Sequence, residues 1–190
     1  MSTTARRVLT IVLALAGLAI LVAAFAAPAP AAAVTPGCST AWGSAAESVP
    51  ALGRAPVTSV RTGAHPCWDR VVVNLPGPAA GYHVQYVDQV VQDGSGAVLP
   101  VSGPARLRVL VRHPAYDDNG AASLRPPVTA GRSLADVDGY RTLRSVVYGG
   151  SFEGDTTIGV GTAARLPFRV FTLDGPGSGS RIVIDVAHVW

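Results

Sequence analysis

Lysine is absent from the 190 residues, and all fifteen basic side chains are arginine. Together with abundant Ala, Gly, Pro and Val, this is the bias of a GC-rich gene and carries no functional information. Charge is scarce, at 14% of residues, and two of the arginines, Arg6 and Arg7, fall within the first 33 positions. Beyond them thirteen arginines face twelve acidic side chains. A net charge near neutrality excludes a basic nucleic-acid binder. Sustained helical periodicity is also missing: no stretch after residue 33 keeps an apolar stripe for three turns, which excludes a helical bundle. The G-x-S-x-G elbow of the serine hydrolases does not occur. With only two cysteines, Cys38 and Cys67, the chain lacks the ligands of a zinc signature.

What is present begins with an export pattern. Residues 1–7 hold the two arginines, 8–27 are apolar throughout, and 28–33 combine prolines with small residues ending in Ala31-Ala32-Ala33. That order is a secretory signal, with an A-x-A site for cleavage near Ala33. Its length also allows an uncleaved anchor, which would be the chain's sole membrane contact. Cys38 lies well past the apolar run, and Thr35-Pro36-Gly37 before it makes a poor lipobox. In an exported chain two cysteines most simply join, so a Cys38–Cys67 bridge is expected. It would contribute about 3 kcal/mol by closing its loop.

The remaining 157 residues suffice for one domain with its own core. Residues 34–61 contain scattered Pro, Gly and Ser around Trp42 and read as an extended arm or irregular first strand. Alternation then predicts strands over 70–75, 82–87, 106–112, 143–148, 156–160, 168–173 and 181–186, divided by Gly-rich turns such as Asp93-Gly94-Ser95-Gly96. Only the connection 113–141 is unusually long. Short strands in this number predict an all-β fold, an antiparallel two-sheet sandwich. Its expected core is Val71, Val73, Leu107, Val109, Val111, Phe168, Val170, Ile182, Ile184 and Val186.

Several clusters invite chemistry. His65, Cys67 and Asp69 alternate like metal ligands but find no second cluster, and a bonded Cys67 is no nucleophile; the plainer expectation is a loop entering a strand, with Asp69 and Arg70 paired at the sheet rim. Gly159-Val160-Gly161 resembles a dinucleotide loop, yet Pro167 and the strand at Phe168 leave no helix to hold a pyrophosphate. Asp117-Asp118-Asn119-Gly120 and Asp136-Val137-Asp138-Gly139 lack the twelfth-position glutamate of a calcium loop. Glu153 and Asp185 could form a glycosidase carboxylate pair, a mechanism that depends on their separation. Arg70, Arg106, Arg108, Arg112, Arg169 and Arg181 occupy outward strand positions, either as a solvated face or as one that binds anions or sugars.

The motifs Thr62-Gly63-Ala64-His65-Pro66-Cys67-Trp68-Asp69-Arg70, Gly81-Tyr82, Tyr86-Val87-Asp88, Asp93-Gly94-Ser95-Gly96, Ser151-Phe152-Glu153-Gly154, Pro167-Phe168-Arg169-Val170 and Ile182-Val183-Ile184-Asp185-Val186-Ala187-His188, in that order, resemble the AMIN-like domain of exported actinobacterial proteins, as does Trp42-Gly43-Ser44 upstream. The resemblance implies likeness to a β-sandwich module that targets cell-wall amidases and secretins to peptidoglycan or other envelope partners. It brings no catalytic residues. The expectation is therefore a signal at 1–33, an arm at 34–61 and an AMIN-like β domain at 62–190, located outside the cell or in its envelope. It would act without catalysis, metal or cofactor, on peptidoglycan or another cell-wall polymer, with Arg70, Arg106, Arg108, Arg112, Phe152, Glu153 and Arg169 as candidate binding residues. Opposed to it stand a cell-wall hydrolase and a protein-interaction partner of envelope machinery.

Overall fold

The computed structural model of the chain describes residues 37–38 and 40–190. The export segment expected at 1–33 lies outside the described residues. Nine strands follow in order: β1 Glu47–Val49, β2 Ser59–Ala64, β3 Trp68–Leu75, β4 Tyr82–Val87, β5 Ala105–Val111, β6 Leu143–Phe152, β7 Asp155–Thr162, β8 Phe168–Asp174 and β9 Ser180–Ala187. They form a five-stranded sheet in the order β1-β4-β5-β7-β6 and a four-stranded sheet in the order β2-β3-β9-β8. Every named pairing is antiparallel. The expected all-β two-sheet sandwich is the observed architecture.

Alternation explains how the layers meet. Val71, Val73 and Leu75 of β3, Leu107, Val109 and Val111 of β5, and Ile182, Ile184 and Val186 of β9 all bury their side chains in one core shared by the two sheets. All ten core residues expected from the sequence belong to it. The turns between strands follow from local chemistry. Phe152 pairs with Asp155, leaving Glu153 and Gly154 as a two-residue loop in which both φ angles are positive, 50° and 85°. This is the turn geometry whose twist matches a hairpin.

β1 and β2 arise inside the segment read as an arm, and β2 runs across its boundary at residue 61. They hold the open seams of the sandwich. On one side Phe168 N–H donates to the Gly43 carbonyl and Val170 N–H to the Glu47 carboxylate, so the edge of β8 is covered. On the other, the long 113–142 connection bonds Tyr148 N–H to the Arg132 carbonyl and Arg125 N–H to the Thr58 carbonyl, while Leu124 enters the core and Val128 and Leu134 pack against it. Covered edges suppress pairing with other chains.

Two buried polar groups bind the ends together. Asp69 faces inward on β3, fully buried, and its Oδ2 accepts the backbone N–H of Thr142 at 2.5 Å and of Leu143 at 3.0 Å. His188 Nε2 lies 3.0 Å from its other oxygen. The rim pairing of Asp69 with Arg70 expected from the sequence is therefore corrected: neighbours on a strand point to opposite faces, and Arg70 turns outward to Asp185.

His113, also fully buried, lies 2.8 Å from the Ala55 carbonyl through Nδ1 and accepts the Ala80 N–H at 2.9 Å through Nε2. These roles assign the proton to Nδ1 and require a neutral ring. Burial lowers its pKa below the ordinary value. A depressed pKa means that stability is fully present above the unfolded-state value, about 6.5, and is lost as pH falls through the folded value. Denaturant unfolding is expected to show stability decreasing from pH 7 to pH 5. His113→Gln should be weaker at pH 7 but change less across that interval; an unchanged slope would remove His113 from the acid response.

Candidate functional site

The two outward faces differ. Over the five-stranded sheet, the 88–104 connection folds back and packs Val90, Leu99 and Val101 against Val147 as a second small core. The sheet admits this segment because it presents glycine there. A Cβ at Gly159 would meet Val101 Cγ2 at 2.4 Å, and one at Gly161 would meet the Ser102 carbonyl oxygen at 1.6 Å. The Gly-x-Gly pattern is thus a docking lane for the chain's own loop. Arg108 closes the same loop through Asp93 at 2.7 Å, Asp93 also accepts the Thr157 hydroxyl, and Arg106 donates to the Val101 carbonyl.

The outer face of the four-stranded sheet carries no such cover among the described residues. Cross-strand partners share a face, so the register lays out three rows: Gly63, Arg70, Asp185 and Arg169; then Arg61, Val72, Val183 and Phe171; then Ser59, Asn74, Arg181 and Leu173. Four arginines here meet one carboxylate.

That carboxylate, Asp185, is fully buried although it points away from the core, because two arginines cover it. Arg70 donates Nε to Oδ1 at 2.6 Å and an Nη to Oδ2 at 2.9 Å. Arg169 adds two bonds to Oδ2, at 3.0 and 2.8 Å. The hydrogen bonds to Asp185 raise the pKa of Arg70. Arg169 is also layered among aromatics, with its guanidinium carbon 4.3 Å from the Trp42 ring centre, 5.0 Å from Phe171 and 5.5 Å from Trp68. Cation–π contacts of a partly exposed arginine contribute about 0.5 to 1 kcal/mol each. Trp42 meets Trp68 edge-on at 5.8 Å, and His65 stacks on Trp68 at 5.3 Å. Trp42 is brought here by the Cys38–Cys67 disulfide, which spans 29 positions and ties the leading segment to the entrance of β3.

Beside this lattice runs a groove of about 220 Å³, rimmed by Arg61, His65, Arg70, Leu173 and Arg181. Its floor is Val72 and Val183, both outward-facing and both buried beneath the surrounding side chains. Larger hollows of about 740 and 520 Å³ lie among the loops at Tyr116–Gly120 and Ser133–Asp138. Two of their carboxylates are turned onto their own backbone: Asp117 accepts the N–H of Asn119 and Ala121, and Asp136 that of Asp138. No group of three or more His, Cys, Asp or Glu is placed to hold a metal ion among the described residues.

The candidate binding residues expected from the sequence do not make one surface. Arg70 and Arg169 lie on the open face. Arg106 and Arg108 lie on the opposite side of the sandwich, engaged with the 88–104 loop, and Arg112 is paired there with Asp155 at 3.0 Å. Phe152 and Glu153 form the β6–β7 hairpin tip, the ring of Phe152 lying beside Gly94. Glu153 and Asp185 are equally separated, one at a hairpin of the five-stranded sheet and the other enclosed by arginines on the four-stranded sheet, so no paired-carboxylate geometry exists between them. Arg61 and Trp68 join the open face without belonging to the set expected to bind. β2 alternates too weakly in sequence to place Arg61 on a strand.

A family model described as the AMIN-like domain matches residues 55–188, a span that holds β2 to β9 and all of the open face except Trp42. No curated protein matches the chain.

Proposed function

The chain belongs to the AMIN-like domain family, and on that basis we propose that it is an exported, non-catalytic module of the cell envelope that binds peptidoglycan or another wall polymer through the outer face of the β2-β3-β9-β8 sheet. One observation carries the choice of face: the opposite face is covered by the chain's own loop, whereas this one presents a lattice of arginines and aromatics with four cations to one carboxylate. Arginine's planar fork bonds bidentately to carboxylate and phosphate and stacks on flat rings. The disulfide is compatible with an oxidising location outside the cytoplasm. Neither carboxylate considered for hydrolysis has a partner placed for acid–base work, which favours binding over turnover.

Retention of the exported chain on purified sacculi tests this. Arg61→Gln, Arg169→Gln and Arg181→Gln combined should reduce retention roughly tenfold, since each exposed contact contributes under about 1 kcal/mol. Raised salt should mimic the loss. Arg106→Gln with Arg108→Gln should lower stability and leave retention unchanged. Undiminished retention of the triple variant would remove this face from the reading. Accumulation of soluble sugar or peptide fragments would replace it by hydrolysis.

A further inference from the structure

The groove between Arg70 and Arg181 deepens the wall-binding reading and rests on it. We propose that this groove is a subsite for a linear phosphodiester polymer lying along the strands, with successive phosphates over Arg70, Arg61 and Arg181 and the uncharged links over the Val72–Val183 floor.

Three observations converge. First, each of the three rows contributes one rimming cation, the rows lying about 7 Å apart along the strand direction and the cations staggered across β3, β2 and β9. A phosphodiester chain with short flexible links can bring a phosphate to each of these staggered cations, whereas a carboxylated glycan holds its charges at the fixed spacing of a rigid ring. Second, these arginines retain donors. Arg70 spends Nε and one Nη on Asp185, Arg61 spends one Nη on Asn74, and Arg181 spends one Nη on the Asp174 carbonyl. The Arg181 Nε is buried and has no partner. Reorienting the guanidinium toward an incoming phosphate would give this donor an acceptor. Third, the floor is apolar while the rim is cationic, so the site offers separate surfaces to the carbon and to the charge of such a chain.

The test is binding of the exported chain to a soluble glycerol-phosphate polymer, with polygalacturonate as the carboxylate arm, over a series of salt concentrations. Arg61→Gln with Arg181→Gln should weaken phosphate-polymer binding at least tenfold. It should also reduce the slope of log affinity against log salt by about 1.5, as two phosphate contacts are lost. Arg132→Gln with Arg141→Gln removes the same charge from exposed loop positions and should change affinity less than twofold. Equal losses in the two double variants would mean that only net charge acts, and equal affinity for polygalacturonate would remove the phosphate assignment; either overturns the proposal. Full retention on sacculi stripped of phosphodiester polymers by hydrofluoric acid would overturn it too, while leaving the wall-binding reading intact. Failure to bind untreated sacculi would defeat that reading and this inference together.

Discussion

Replacing Asp69 by Ala is expected to destabilise the fold by about 3 to 5 kcal/mol, the range seen when one partner of a buried charged network is removed. The carboxylate holds the first two backbone N–H groups at the entry to β6 and the imidazole of His188 after β9. Its loss leaves three buried donors facing a cavity, and an unsatisfied buried group costs more than the bond it made. For a domain of this size the melting temperature should fall by roughly 10 °C or more. Asn in the same place keeps an acceptor and should lose less. Arg70→Ala, one position along the same strand, tests the geometry from the other side: it disturbs the outer face and should leave the β6 entry intact. Equal melting temperatures for parent and Asp69→Ala would show that this end of the sandwich is not held by the carboxylate.

The same residue marks where sequence reasoning succeeds and fails. Period-2 alternation locates β3 to β9 and assigns inward side chains correctly, because a half-buried strand must segregate its two faces. Carrying that parity back two positions from Val71 already turns Asp69 inward, so pairing it with Arg70 breaks the rule that places the valines. The arginines fail for another reason. Arg108 and Arg169 are both outward by parity, but parity does not reveal which sheet a strand joins, and topology sets them on opposite sides of the sandwich. β1 has three residues, and β2 mixes Arg, Gly and Ala with a single large apolar side chain, Val60. Neither carries enough hydrophobic contrast to declare itself.

Burial on the outer faces is hidden more deeply. Val72 and Val183 read as solvent-facing, yet arginine stems and Phe171 roof them over, as long amphipathic side chains do when their charged heads stay near water. Asp185 is hidden by its own counterions in the same way. The candidate site is therefore a product of tertiary register, in which β2, β3, β8 and β9 each supply one element of every row. Trp42 reaches it through the covalent link that returns the leading segment to β3 and the hydrogen bond from Phe168 N–H to the Gly43 carbonyl.

Gly161→Ala should have an effect comparable to that of Asp69→Ala, although it adds one methyl group to a residue of ordinary φ. A Cβ there would lie 1.6 Å from the Ser102 carbonyl oxygen and 2.6 Å from Ser145 Oγ. Backbone cannot yield as a flexible side chain would, so the 88–104 segment must lift. Lifting exposes Val90, Leu99 and Val101 and frees Arg106 and Arg108 from the loop. Three aliphatic side chains returned to water are worth roughly 1.5 to 3 kcal/mol each if exposure is complete, so a loss near 3 kcal/mol follows even from partial release. The expected readings are a lowered unfolding midpoint and faster proteolysis within 93–96. Gly154→Ala provides the comparison. It sits at φ 85° with open space around the added carbon and should cost only about 1 kcal/mol of backbone strain. Release of the loop also has a functional consequence, because it bares the arginines of the five-stranded sheet. Gly161→Ala should then acquire salt-sensitive retention on sacculi that survives the Arg61, Arg169 and Arg181 substitutions. If the variant keeps parental stability and protease resistance, the loop is not seated by the glycine lane.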